Sequence, residues 1–410
     1  MKSTPVNRSA RRHRYLGFSM VELMVAVAIG LIGTTVIFQV FSIFEAQKRT
    51  ATSAGDAQQN GLFALYSIER DARMAGFGIN YFALLGCNVA SYDAQTGRNG
   101  FTFPLAAVNI AEGASGAADT ITFLYGSSNL LIAPGQLLVP MNSADTSVQI
   151  SNEFGFQAGD VAIVGAAGVG CDLREITGLP SYPNGNTMNF TSGGSYTNAV
   201  GGTQTPRYNN PGGLSVGFYD KWNTLTSSGG VVISLGSTPT LITYSVQSAE
   251  LMYQNVLQTT TASPLVDGIV QLQAQYGLDL NGDGLIQASE WVNGCANPVQ
   301  LPVGAGGTCV APTSTQWSQV LALRIAVVAR STQPERPDQT TQTCTATTDG
   351  TETTPTYPAP AGGGNWPDTR PKWNSGTVID ITTVSSDWRC YRYRVFQTSI
   401  PIRNQLWFPA

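Results

Sequence analysis

From Phe18 to Phe44 the chain runs for 27 residues with Glu22 as its only ionisable side chain. As a helix rising 1.5 Å per residue, such a run reaches about 40 Å, enough to cross a hydrocarbon core about 30 Å thick. The 17 residues before it carry Lys2, Arg8, Arg11, Arg12 and Arg14 and no acid, a bias that holds this end on the cytoplasmic side of a membrane. A secretory signal peptide is the alternative, but its apolar stretch would be about half as long and would end at a small-residue cleavage site. A carboxylate within hydrocarbon costs a few kcal/mol, so Glu22 is expected to have a function that offsets it.

The string Gly17-Phe18-Ser19-Met20-Val21-Glu22-Leu23, after a basic leader and before an apolar helix, resembles the type IV prepilin processing site. The resemblance implies that a membrane-embedded aspartic prepilin peptidase cuts between Gly17 and Phe18 and methylates the new amino terminus of Phe18. Glu22 is the fifth residue after that cut, where pilins carry an acid. In an apolar filament core an acid is tolerable only with a partner, and the amino terminus of a neighbouring subunit is a suitable one. Glu22 is thus expected to direct assembly.

No proline occurs between Val6 and Phe103, so nothing forces a break in a helix that starts at Phe18. Residues 1–17 are then a leader, 18–44 a membrane-spanning half and 45–75 a polar half. In that second half Leu62, Leu65, Ile68, Ala72 and Ala75 recur at helical spacing, a stripe that would lie on a globular head. Gly76-Phe77-Gly78 is the expected stop, while Gly30, Gly33, Gly55 and Gly61 are expected soft points. Residues 76–410 change to short apolar or alternating runs between Gly, Pro, Asn and Ser clusters, which predicts strands. These include Thr120 to Tyr125, Asp160 to Val164, Val231 to Leu235, Leu241 to Val246, Ile269 to Tyr276, Val320 to Ala329 and Arg389 to Thr398. The expected class is α+β: a long N-terminal helix packed on a large, mainly antiparallel head, as in type IV pilins. Residues 177–213, rich in Gly, Asn, Pro and Ser, and residues 331–376, with seven Pro and twelve Thr, read as long exposed loops or as a contact surface.

Several segments resemble the PilW family of minor pilins. They are Gln59 to Leu65 with Glu69 to Gly76, Asp160 to Thr177 including Cys171-Asp172, Leu265 to Ile269 with Tyr276 to Asp279, and Arg392 to Phe396 with Ile402-Arg403-Asn404. The resemblance is densest in the first 76 residues. It implies a role in priming pilus assembly at or near the tip, with other minor pilins, the major pilin and a tip adhesin as partners. Twitching motility, adhesion or DNA uptake would follow through the pilus. The precursor would sit in the inner membrane, its leader cytoplasmic and its head periplasmic. Minor pseudopilins of type II secretion share the N-terminal signature and remain an alternative. A membrane-anchored calcium-binding adhesin or receptor that never enters a filament is another.

Residues 279–290 hold a second motif. Asp279, Asn281, Asp283, Gly284 and Glu290 occupy the specified positions of the twelve-residue EF-hand loop, with oxygen donors completed by the Leu285 carbonyl and Gln287. Three carboxylates in one short loop repel one another unless a hard cation sits among them, so Ca2+ is the expected ligand. The preceding strand pattern would make this a calcium loop grafted on a hairpin. A plain Asp/Asn/Gly turn between strands is the alternative.

The six cysteines, Cys87, Cys171, Cys295, Cys309, Cys344 and Cys390, all lie beyond the apolar run. An oxidising envelope favours disulfides, and six thiols allow 15 connectivities. Cys295 with Cys309 is the best local pair; free buried thiols are the alternative. His13 is the only histidine, which leaves no imidazole-based triad or His-rich metal centre, and no catalytic role is expected. Of 22 basic residues five lie in the leader, so the processed chain would set 17 against 26 acidic ones. That acidic balance offers no footprint for direct nucleic-acid binding.

Overall fold

In the computed structural model the apolar run and its polar continuation form one helix, α1, Met20–Met74. The residues described are 17–128, 130, 133–179, 186–221, 229–304, 307–337, 342–351, 367–373 and 376–404. Residues 1–16 of the leader, and 180–185, 338–341, 352–366 and 374–375 of the two long loops, lie outside them. The helix begins two residues later than Phe18 because Ser19 caps it. Ser19 Oγ accepts the Val21 N–H at 3.3 Å, and Glu22 Oε2 accepts the Ser19 N–H at 3.0 Å. The Ser-x-x-Glu spacing thus satisfies two N–H groups reciprocally. The helix ends at Met74, and Gly76 follows in the left-handed region (φ +82°), which glycine adopts without the Cβ penalty. Asn404 Nδ2 donates to the carbonyls of Met74 and Ala75 at 3.1 and 3.0 Å, satisfying the helix's last acceptors.

The chain divides into two units, Met1–Ser53 and Ala54–Ala410. In the first, every large apolar side chain from Phe18 to Phe44 is exposed. In the second, the remainder of α1 joins a core shared with three sheets. Its buried stripe is Ala57, Gly61, Ala64, Ile68 and Ala72, continued by Ala75 just past its end. Leu62, expected inside, is instead 51% exposed. The stripe is rotated towards the smallest residues because small side chains let the helix approach a sheet closely. Gly61 in particular is a point of close packing rather than a soft point: a methyl there would overlap the Phe396 ring.

The six-stranded sheet runs in the order Arg98–Pro104, Asn88–Asp93, Gly170–Glu175, Val161–Ala166, Val231–Gly236 and Gly135–Gln136. Its pairings are antiparallel except that of Asn88–Asp93 with Gly170–Glu175. A five-stranded antiparallel sheet orders Ser263–Asp267, Glu250–Asn255, Thr240–Gln247, Thr120–Tyr125 and Val108–Ala111. A four-stranded one orders Trp291–Asn293, Ile269–Leu278, Val320–Arg330 and Tyr393–Pro401. The last strand starts later than the expected Arg389 because Trp388–Cys390 forms a 3-10 turn.

Residues 177–213 are not a simple exposed loop. Met188, Phe190 and Tyr208 are buried, and the strand Thr187–Asn189 pairs with Ser147–Gln149. Met188 and Phe190 join Leu137, Ile150, Phe156 and Phe218 in a second core. The reason lies in the six-stranded sheet. Val161 and Ile163 face the main core while Ala162, Val164 and Ala166 face the second, so both faces need cover. The described part of residues 331–376 is also partly buried at Cys344, Thr347 and Thr348.

Candidate functional site

At the N-terminal end, Phe18 is 87% exposed and Glu22 stands one helical turn inside. The Ser19 amide that Glu22 accepts belongs to the residue next to Phe18. The carboxylate therefore already lies near the bond expected to be cut, where the helix dipole and unpaired N–H groups favour a negative charge. Gly17 and Phe18 precede the helix in irregular backbone, a form in which a peptide bond is open to attack.

At its other end α1 is tied to the head by a buried acid. Asp71, 1% exposed, accepts the Tyr244 hydroxyl at 2.6 Å and the Tyr125 hydroxyl at 3.3 Å, and its neighbour Arg70 pairs with it at 3.0 Å. Burial, with the Asp71 carboxylate beside it, pushes the Tyr244 phenol well above its usual range. Sequence reasoning missed this cluster. Its signal was an acid on the helix face that otherwise carries Ala64, Ile68 and Ala75.

The EF-like loop joins Ile269–Leu278 to Trp291–Asn293, two strands that pair antiparallel, so it stands at a hairpin. Asp279 Oδ1 accepts the N–H groups of Gly282 and Asp283 at 2.7 and 3.1 Å, and Oδ2 that of Gly284 at 2.8 Å. Glu290 accepts Leu280 N–H at 3.2 Å and Gln287 N–H at 2.7 Å. Asp283 Oδ2 accepts the side-chain amides of Asn281 and Gln287 at 2.9 and 3.2 Å. The Leu285 N–H, with the Asn281 amide, holds the Asp283 carboxyl below its usual range. Gly284, at φ +75°, supplies the sharp turn. Asp279 and Glu290 are buried, and the loop between them is largely exposed. Among the described residues no three His, Cys, Asp or Glu side chains gather as a metal cluster; here the carboxylates serve the loop's own N–H groups. The donor set is nevertheless all hard oxygen, the chemistry Ca2+ requires, once the two amides turn their oxygens inward.

The six cysteines form three disulfides, Cys87–Cys171, Cys295–Cys309 and Cys344–Cys390. The first ties the segment after α1 to the middle of the six-stranded sheet. The second closes the stretch just past the EF-like loop and holds the hairpin of Leu301–Val303 and Thr308–Val310. The third pins the Thr- and Pro-rich excursion to the turn before the last strand.

Residues 227–404 match the model of the family described as type IV pilus-assembly protein W, and residues 12–38 match the prokaryotic N-terminal methylation motif. No curated protein and no solved structure matches the chain. The second match covers the basic leader's end, Gly17, Phe18, Glu22 and most of the apolar run; the first covers the strands from Val231–Gly236 to Tyr393–Pro401. Together the two matches support a PilW-type pilin of the type IV pilus that carries a prepilin signature.

Proposed function

We propose that the chain is a precursor cut between Gly17 and Phe18 by prepilin peptidase, methylated on Phe18, and drawn into a pilus through α1, where it acts with other minor pilins in initiating assembly. Before assembly it is a single-pass inner-membrane protein with its leader in the cytoplasm and its head in the periplasm; afterwards it sits at the pilus tip. The observation that carries this reading is the exposed apolar surface from Phe18 to Phe44 with its one acid at Glu22. Such a surface is stable in lipid or against other helices, and the acid gives those helices a register. In the filament Glu22 exchanges the Ser19 amide for the cationic amino terminus of a neighbouring Phe18. The size of the head, residues 76–410, favours a tip over a repeated place along the shaft. The match to a pilus-assembly family favours a pilus over a secretion pseudopilus.

Mass spectrometry of the N-terminal peptide from membranes and sheared pili tests the proposal. A peptide beginning at methylated Phe18, enriched in pili at well below one copy per major pilin, is the expected result. An intact leader in the mature protein overturns the processing step, and stoichiometric presence along the shaft overturns the tip position. Glu22→Gln should leave processing intact and remove the chain from the sheared fraction.

Within the same function we assign the 279–290 loop to Ca2+, as an ion that stiffens the head for docking on a partner pilin or tip adhesin. All-oxygen donors and the Gly284 turn support this. Calcium should raise the melting temperature of the wild type and not that of Asp283→Ala; an equal shift in both rules the assignment out.

A further inference from the structure

The excursion at residues 186–213 does more than cover the second core. With four turns from other parts of the head it walls a cleft of about 480 Å3, within the range of small-molecule sites. The other walls come from Gln95 in the turn after Asn88–Asp93, from Gly159 and Val161, from Ser237 to Pro239 between two strands, and from Gln258.

The wall is bolted down from behind. Arg207 sets Nε and Nη2 on the two oxygens of Asp93, both at 2.8 Å, and donates to the Gln258 carbonyl at 3.0 Å. Asp93 is fully buried, and this pairing holds its carboxyl far below the usual range against the cost of burial. Glu175 accepts the Arg207 N–H at 2.7 Å and the Tyr196 hydroxyl. Tyr208 donates to the Leu257 carbonyl at 3.1 Å. Asn209 bridges the N–H and the carbonyl of Glu175, both at 2.8 Å. A loop serving only to connect strands would not need two buried acids and a buried amide to hold its shape. A cleft so held loses little conformational freedom on binding.

What faces the cleft is chemically uniform. Gln95, Ser195, Thr205, Ser237, Thr238 and Gln258 line it with side chains that are exposed and make no hydrogen bond to protein among the described residues. The charges at its floor are already neutralised: Arg207 by Asp93, and Glu175 by backbone N–H groups and Tyr196. A cleft offering free hydroxyls and amides, with no free charge and only the small apolar faces of Val161, Tyr208 and Pro239, matches a neutral ligand dense in hydroxyl groups. Phosphates would need an unpaired cation, and an extended peptide would need apolar side-chain pockets or an open sheet edge.

We propose that this cleft binds a neutral oligosaccharide. The binding is a property of the head alone and does not rest on pilus assembly or on calcium.

The test is calorimetric titration of the full-length protein in EDTA and a detergent without a sugar headgroup. The probes are the hexaoses of maltose, cellulose, chitin and isomaltose types, with a neutral decapeptide as comparison. At least one hexaose should bind saturably at one site. Thr205→Val with Thr238→Val removes two hydroxyls from exposed positions while keeping side-chain volume, and should weaken that binding about tenfold or more, at about 1 kcal/mol per hydrogen bond. Absence of binding by all four hexaoses, unchanged affinity in the double variant, or decapeptide binding that displaces the sugar each overturns the proposal.

Discussion

Tyr244 donates its hydroxyl proton to Asp71 across 2.6 Å, joining the middle of a five-stranded sheet to a helix 173 residues earlier in the chain. The acid is almost completely buried, and among the described residues Tyr244, Tyr125 and Arg70 are its polar side-chain partners. Hydrogen bonds to a buried charge are stronger than neutral ones, and losing one leaves a desolvated lone pair. Tyr244→Phe should therefore destabilise the head by about 1.5–3 kcal/mol, seen as a lower melting temperature in scanning calorimetry. An unchanged value would mean that Tyr125 and Arg70 hold the helix alone.

Two glycines of α1 should respond in opposite directions to the same substitution. Alanine is favoured over glycine in a helix by up to about 1 kcal/mol. At Gly55 nothing lies within 4 Å of the added methyl, so Gly55→Ala should stabilise. At Gly61 the methyl meets the Phe396 ring, and overpacking costs about 1–3 kcal/mol, so Gly61→Ala should be net destabilising. Chemical denaturation of the two variants side by side checks the contrast.

Two neighbouring acids set a pH dependence. Burial, then the charge of Asp119, pushes the Glu112 carboxyl up to about 7; burial pushes Asp119 up to about 6, against the N–H groups of Gly113 and Ala274. Both acids hold protons in the folded state that the unfolded chain has released, so stability falls as pH rises. Their contribution is intact below about pH 4, where the unfolded groups titrate, and is lost through pH 6 and then 7. A melting series from pH 5 to 8 should slope downward, and Glu112→Gln should flatten its upper part.

The disulfides should differ in worth according to the chain they close. Cys87–Cys171 spans 84 residues and Cys295–Cys309 spans 14. Loop-closure entropy gives about 4.5 kcal/mol for the first and about 3 for the second. Paired Cys→Ala variants, compared by urea midpoint, should rank in that order.

Some of this was legible in the residues. Thr120–Tyr125 is a strand at the bounds its apolar pattern indicates, and the absence of proline between Val6 and Phe103 foretold one unbroken helix. Composition misled at residues 177–213, where Gly and Asn outnumber the few apolar side chains that matter. The missed clue sat elsewhere: Val161-Ala162-Ile163-Val164 and Val231-Val232-Ile233 do not alternate, and a strand buried on both faces needs a second layer. The template at 279–290 was readable as a list of donors, but the directions of Asp279 and Glu290 depend on which backbone N–H groups the turn presents. The cleft was unreadable for a plainer reason. Gln95, Thr205, Thr238 and Gln258 belong to separate turns, and only sheet pairing brings them to one place.

The hydrogen bonds from Asn404 to the Met74 and Ala75 carbonyls also impose an order of events on the ribosome. The donor lies 330 positions after its first acceptor. At about 5–20 residues per second of synthesis, the end of α1 waits between about 15 and 65 s for its cap. For that interval the helix end rests on local bonds alone, chiefly the Phe77 N–H to the Met74 carbonyl at 3.1 Å. A chain whose translation stops short of Asn404 would lack both bonds, so the last residues synthesised complete a helix made near the start.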